Sequence, residues 1–133
     1  MNIQSFMKPR YEVTFVYEDD TVGRTVDILE TKRFGSIPVL SRDEKYIGTI
    51  SEGDLLYFIC KSDKKTASKS KISELTRNHD YLSVRITDPV TALVIRASDE
   101  NFVPVVDDSG IFLGIVTRKK LLDYFFETRF VVL

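Results

Sequence analysis

Apolar positions along the chain switch between a period of two and a period near 3.6, and they do so twice in the same order. Val13 to Tyr17 is rich in β-branched and aromatic residues and predicts a strand. Asp20-Thr21 is a helix-start signal, after which Val22, Val26 and Leu29 recur at helical spacing. Two strands follow, Ser36 to Leu40 and Tyr46 to Ile50, joined by the polar turn Ser41-Arg42-Asp43-Glu44-Lys45. A helix with Leu55, Leu56 and Ile59 inward closes the unit.

The second passage repeats this β-α-β-β-α order. Leu82 to Ile86 predicts a strand, Asp88 a helix cap with Pro89 at the first helical position, and Val90, Leu93, Val94 and Ala97 a buried stripe. Strands at Phe102 to Val106 and Ile111 to Val116 flank the turn Asp107-Asp108-Ser109-Gly110, and a last helix carries Leu121, Leu122, Phe125 and Phe126. Sliding the chain on itself by 66 residues places Ile37-Pro38-Val39-Leu40 on Val103-Pro104-Val105-Val106. The same shift places Tyr46-Ile47-Gly48-Thr49-Ile50-Ser51 on Phe112-Leu113-Gly114-Ile115-Val116-Thr117. The predicted organisation is one copy over residues 1–60, a polar linker over 61–71 and a second copy over 72–133, in an α/β (α+β) fold of two pseudo-symmetric motifs.

With 133 residues, 43% hydrophobic and 29% charged, the chain is large enough to bury a core without staples. Nineteen basic and 20 acidic residues leave a net charge of -1, which offers no electrostatic reason to expect nucleic acid or a membrane surface as partner. The exception is local: residues 61–71 hold five Lys against one Asp, a charge of +4. A single cysteine, Cys60, excludes an internal disulfide and a multi-thiolate zinc site, so no metal is expected and the expected setting is reducing and cytoplasmic. Cys60 reads as a small buried side chain and His79, in the polar run Thr76 to Asp80, as an exposed loop residue. No nucleophile elbow, phosphate loop or metalloprotease helix occurs, so no catalytic residue is assigned and the chain does not read as an enzyme.

Two copies with an apolar-Pro-Val step and then Gly-apolar-x-Ser/Thr ahead of a helix resemble a tandem cystathionine-β-synthase-like (CBS) pair, or Bateman module. Gly48-Thr49-Ile50-Ser51-Glu52-Gly53-Asp54 fits that family's Gly-x-x-Ser/Thr-x-x-Asp pattern in full. The resemblance implies a regulatory sensor that binds adenosine-containing ligands in clefts between its motifs, such as AMP, ATP, a cyclic dinucleotide or S-adenosylmethionine, and signals to an effector protein. It implies nucleotide contacts from Val13, Ser36, Ile37, Pro38, Ser51, Asp54, Tyr81, Phe102, Val103, Pro104, Thr117, Arg118 and Lys120.

The chemistry is consistent with those positions. A carboxylate at a helix start can accept from ribose hydroxyls, and a hydroxyl with free helix N–H groups can face phosphate. Ser51 and Asp54 also have the spacing of a capping pair, which is compatible with a ligand role. Gly114-Ile115-Val116-Thr117-Arg118-Lys119-Lys120 departs from the family pattern by placing Lys120 where Asp is expected, so phosphate rather than ribose is the natural partner there. Tyr11 and Tyr81 are candidates for base stacking, with partial burial the plainer expectation. The aromatic groups Tyr57-Phe58 and Tyr124-Phe125-Phe126 exceed what one face of a short helix needs, and a homodimer interface is the expected use. The rival readings are a ligand-free scaffold and, more weakly, a nucleic-acid binder through the basic segment and residues 118–120.

Overall fold

The period switches become two sheets, each flanked by helices. A computed structural model describes residues 1–132, with side chains described through residue 127; Leu133, the last residue of the second predicted copy, lies outside the described residues. In chain order the elements are β1 (Lys8–Pro9), β2 (Val16–Tyr17), α1 (Val22–Lys32), β3 (Ser36–Leu40), β4 (Tyr46–Ser51), α2 (Glu52–Cys60) and α3 (Lys64–Lys69). They continue with β5 (Val84–Arg85), α4 (Val90–Ala97), β6 (Phe102–Val106), β7 (Phe112–Thr117) and α5 (Arg118–Val132). Among the described residues no helix is long and apolar enough to cross a membrane.

The chain forms two compact units. One contains residues 14–80; the other joins residues 1–13 to 81–133. In the first, β2 runs parallel to β3, and β3 antiparallel to β4. Its core gathers Val16, Val22, Leu29, Ile37, Val39, Ile50 and Leu55, and it is closed by Ile72 and Leu75 from a 3-10 turn at Ile72–Glu74. The second unit has the same arrangement of β5, β6 and β7, with Val84, Leu93, Val103, Val105, Val116 and Leu121 inside. It is closed by Ile3 and Phe6 from a 3-10 turn at Ile3–Ser5, and β1 adds a fourth strand against β7. Each core is therefore completed by the segment that opens the other sequence copy.

Several expectations are corrected. Residues 61–71 are not a bare linker: Asp63 accepts from the Thr66 N–H at 3.1 Å and starts α3, whose Ala67 is wholly buried. The chain then returns to α1, where the Val22 N–H donates to the Ser70 carbonyl at 2.8 Å. The predicted strands 13–17 and 82–86 shrink to two residues each, because the chain leaves the ladder on either side. Asp88 does not cap α4: its carboxylate accepts from the Arg85 N–H at 2.9 Å across the turn, and Pro89 takes the cap position. Leu56, expected inward, is 64% exposed, and Cys60, expected buried, is exposed beside it. Val94 is exposed where a buried stripe was read, and Tyr11 is 88% exposed rather than partly buried. In each case the helix or turn has fewer neighbours on one side than its apolar residues could cover. His79 is exposed and Tyr81 half-buried, as expected.

The edge of each second-hairpin strand is covered differently. At Gly114 the backbone of β1 lies so close that a Cβ would collide with the Lys8 carbonyl oxygen. At Gly48 the neighbours are the ends of side chains, the Asp80 carboxylate and the Arg77 guanidinium. Flexible side chains yield more readily than a paired strand. Gly114→Ala is therefore expected to destabilise the protein by about 1–3 kcal/mol, as overpacking does, and Gly48→Ala by less. Urea midpoints at constant m-value measure this; an equal or larger loss for Gly48→Ala would contradict the account.

Candidate functional site

The hairpin-to-helix junction positions the motif residues in unit 14–80. Strand β4 ends at Ser51, which caps α2. Its Oγ accepts from the Asp54 N–H at 3.1 Å, while the Asp54 carboxylate accepts from the Ser51 N–H at 3.1 Å. The expected capping pair is thus present, and Asp54 remains only 7% exposed. Its other oxygen accepts from the Asn78 N–H at 2.9 Å, which ties the chain following the 3-10 turn to the mouth of α2. Beside these groups is a cavity of about 490 Å³ lined by Ser51, Gly53, Asp54, Tyr57, Thr76 and Asn78.

The same incoming segment is anchored a second time. Asp80 accepts from the Thr49 N–H at 2.9 Å and pairs with the Arg77 guanidinium at 2.8 Å; Arg77 also donates to the Ile47 carbonyl at 3.3 Å. Burial alone would raise the Asp80 carboxyl, but the Arg77 and Thr49 hydrogen bonds outweigh it and hold the group below its ordinary range. The Asp80 hydrogen bond in turn raises the Arg77 guanidinium against the effect of burial.

Strand β3 supplies the adjoining surface. Ser36 pairs with Ser51 and Pro38 with Thr49, so the strand end and the helix mouth share one site. On its other edge β3 pairs with β2 only at Val39 and Leu40, and the ladder stops before Pro38. Ile37 is a core side chain, 2% exposed, and any ligand contact there must come through the main chain.

In the other unit Phe102 pairs with Thr117, and the β5–β6 ladder likewise covers only Val105 and Val106, stopping before Pro104. The Phe102 ring packs against Tyr81 at 4.8 Å between centroids, and Val103 is a core side chain. Thr117 accepts from the Lys120 N–H at 3.1 Å, but an ammonium has no acceptor with which to return the bond. Lys120 is exposed. Arg118 turns to the end of α4, where its Nε donates to the Ala97 carbonyl at 2.7 Å and its Nη atoms reach Asn101 and Ser98. Lys119 pairs with Asp123 at 3.0 Å. Three cations adjacent in sequence thus have three different surroundings. Val13, half-buried and extended, donates to the Arg10 carbonyl at 3.0 Å at the end of its unit's first segment.

Thr76, Asn78 and the Arg77–Asp80 pair were missed by the sequence reading, which treated residues 76–80 as a loop around His79. A signal existed: Ile72 and Leu75 repeat the three-residue spacing of Ile3 and Phe6, which marks the same element ahead of each copy.

The sequence model of the CBS domain matches residues 3–61 and 72–127. An uncharacterised protein of Rickettsia prowazekii is 33% identical over 121 residues, covering 90% of this chain and 36% of that protein. The chain spans about a third or less of the length of the first curated relatives it matches. Among solved structures, Listeria monocytogenes CbpB in complex with c-di-AMP superimposes with a TM-score of 0.84 at 22% identity, covering 97% of this chain and 98% of that one. CBSX2 in complex with AMP gives a TM-score of 0.73 at 23% identity, covering 96% and 98%. Two family matches on the two sequence copies, together with two sheets built in one topology, make this chain a member of the CBS-domain family, carrying a tandem pair of CBS motifs.

Proposed function

We propose that the chain is a non-catalytic regulatory module that binds an adenosine-containing nucleotide and passes its binding state to an effector protein in the cytoplasm. The observation that carries this is the convergence, in unit 14–80, of the β3 end with the Ser51–Asp54 helix mouth. It joins an interrupted strand edge, able to meet a base through main-chain groups, to a carboxylate able to meet a ribose. Each oxygen of Asp54 already accepts one main-chain bond and keeps a second lone pair. The crystallised relatives that hold c-di-AMP or AMP support the ligand class, since both share adenine, ribose and phosphate. In the other unit, Phe102, Pro104, Thr117 and Lys120 form the matching set, with a cation in place of the carboxylate. Arg118, engaged with α4, is left out of that set.

A second reading, a scaffold whose sites hold no ligand, is favoured by the structural bonds that Asp54 makes. The two readings separate by calorimetry with AMP, ATP and c-di-AMP. Under the sensor reading Asp54→Ala weakens binding about ten- to a hundredfold, the worth of one charge-assisted hydrogen bond, while circular dichroism shows the variant still folded. Unchanged affinity would remove Asp54 from the site, and no binding of any of the three by the wild type would favour the scaffold.

Lys120 sets a distinct expectation. An ammonium donates only, so its site favours ligands with more phosphate, and that binding weakens as salt rises. Lys120→Asp should reverse the order, making nucleoside or monophosphate binding relatively better. The same ligand order and salt slope in both proteins would make Lys120 surface charge alone.

The exposed apolar residues of α2 and α5 support a homodimer: Leu56, Tyr57, Leu122, Phe125 and Phe126 are 46–65% exposed. Tyr57→Asp with Phe125→Asp should shift sedimentation from dimer to monomer at micromolar concentration. A wild type that sediments as a monomer would exclude this assembly.

A further inference from the structure

The cavity beside Asp54 has one wall without regular structure. Residues 75–80 follow the 3-10 turn at Ile72–Glu74 and belong to no helix or strand, yet Thr76 and Asn78 line the cavity. Asn78 is exposed, and its main-chain N–H donates to the Asp54 carboxylate at 2.9 Å. An exposed residue in an irregular segment keeps such a bond only if the segment is held on both sides of it. Leu75 holds one side, in the core of residues 14–80. The other side is held by Arg77 and Asp80.

This pair takes the place of a strand. Strand β4 is the edge of its sheet, and Ile47 is the extra residue where its register with β3 shifts. Arg77 donates to the Ile47 carbonyl at 3.3 Å and Asp80 accepts from the Thr49 N–H at 2.9 Å, so one donor and one acceptor meet the main chain of β4 as a paired strand would. In the other unit β1 does this with backbone, Lys8 pairing with Ile115, the residue equivalent to Thr49. Arg77 and Asp80 also lock each other: Nε donates to one carboxylate oxygen at 2.8 Å and Nη2 to the other at 3.2 Å. A two-bond fork fixes orientation, which a point charge does not.

The consequence reaches Asp54. The Ser51 N–H fixes one of its oxygens within the cap of α2, and only the Asn78 N–H sets the other. We propose that Arg77 and Asp80 are positioning residues for the nucleotide site: bracketing Asn78, they hold its N–H on Asp54 and so set the direction in which that carboxylate meets a ribose. Neither of them lines the cavity. This rests on the nucleotide reading above and adds the residues that keep its carboxylate in place. Asp54 is also among the charges that favour the Arg77 guanidinium, so the test has to separate position from charge.

Asp80→Asn keeps an oxygen for the Thr49 N–H and leaves Arg77 charged, but weakens the fork; Arg77→Lys keeps the charge and loses the fork. In both variants deuterium exchange at the Asn78 amide, followed by NMR, should speed up about tenfold or more while the amides of α1 keep wild-type rates. Calorimetry with whichever of AMP, ATP and c-di-AMP the wild type binds should show affinity weakened about three- to tenfold, and in an Asp54→Ala background Asp80→Asn should cost nothing further, because the pair acts through that carboxylate. An unchanged Asn78 exchange rate, or losses from Asp54→Ala and Asp80→Asn that simply multiply, would overturn the positioning role while leaving nucleotide binding intact. A wild type that binds none of the three would overturn the nucleotide reading and the role of the pair with it.

Discussion

One carboxylate organises the candidate site. Asp54 closes the cap of α2 with one oxygen and holds the Asn78 N–H with the other, so the helix start and the chain arriving from the 3-10 turn share a single buried group. A buried carboxylate is tolerated only when its lone pairs are satisfied, and two main-chain donors do that here. Because these bonds fix the carboxylate, its remaining lone pairs point in set directions, and under the proposed nucleotide role that order would reduce the cost of binding.

The other unit solves the same problem without a carboxylate. Lys120 cannot complete the cap, and the leading segment is held instead by a strand, β1, whose backbone presses on Gly114. Both units need something along the free edge of the last strand, since unpaired backbone groups there would otherwise be unsatisfied or open to wrong partners. A two-residue strand serves in one, and the Arg77–Asp80 pair with the Thr49 N–H in the other. Duplication has kept the topology and let the chemistry of the helix mouth and of the strand edge diverge.

That divergence extends to the helix faces. At one pair of equivalent positions the chain has Glu52 and Arg118, and both side chains act on their own unit. Glu52 lies in the first turn of α2, where a negative charge complements the helix dipole. Arg118 ties the end of α4 to the start of α5. The opposite charges at these equivalent positions thus each have a local reason to be there.

The order of elements, the duplication and the helix-mouth motif were legible in the chain by itself. They depend on short-range periodicity, and on Gly48 to Asp54 and Gly114 to Lys120, where the backbone path and the chemistry are both local. What only the tertiary structure decided were long-range matters. Ile72 and Leu75 complete the core of residues 14–80 while Ile3 and Phe6 complete the other, an exchange that no local pattern can signal because either core accepts an apolar pair of that spacing. The basic segment 61–71 has the composition of a linker, yet α3 packs against α1, Ala67 is buried, and the Ser70 carbonyl accepts from the Val22 N–H, which makes it structure. Leu56 and Cys60 have the period of core residues but face outward, because periodicity marks a face and only packing determines whether that face is covered.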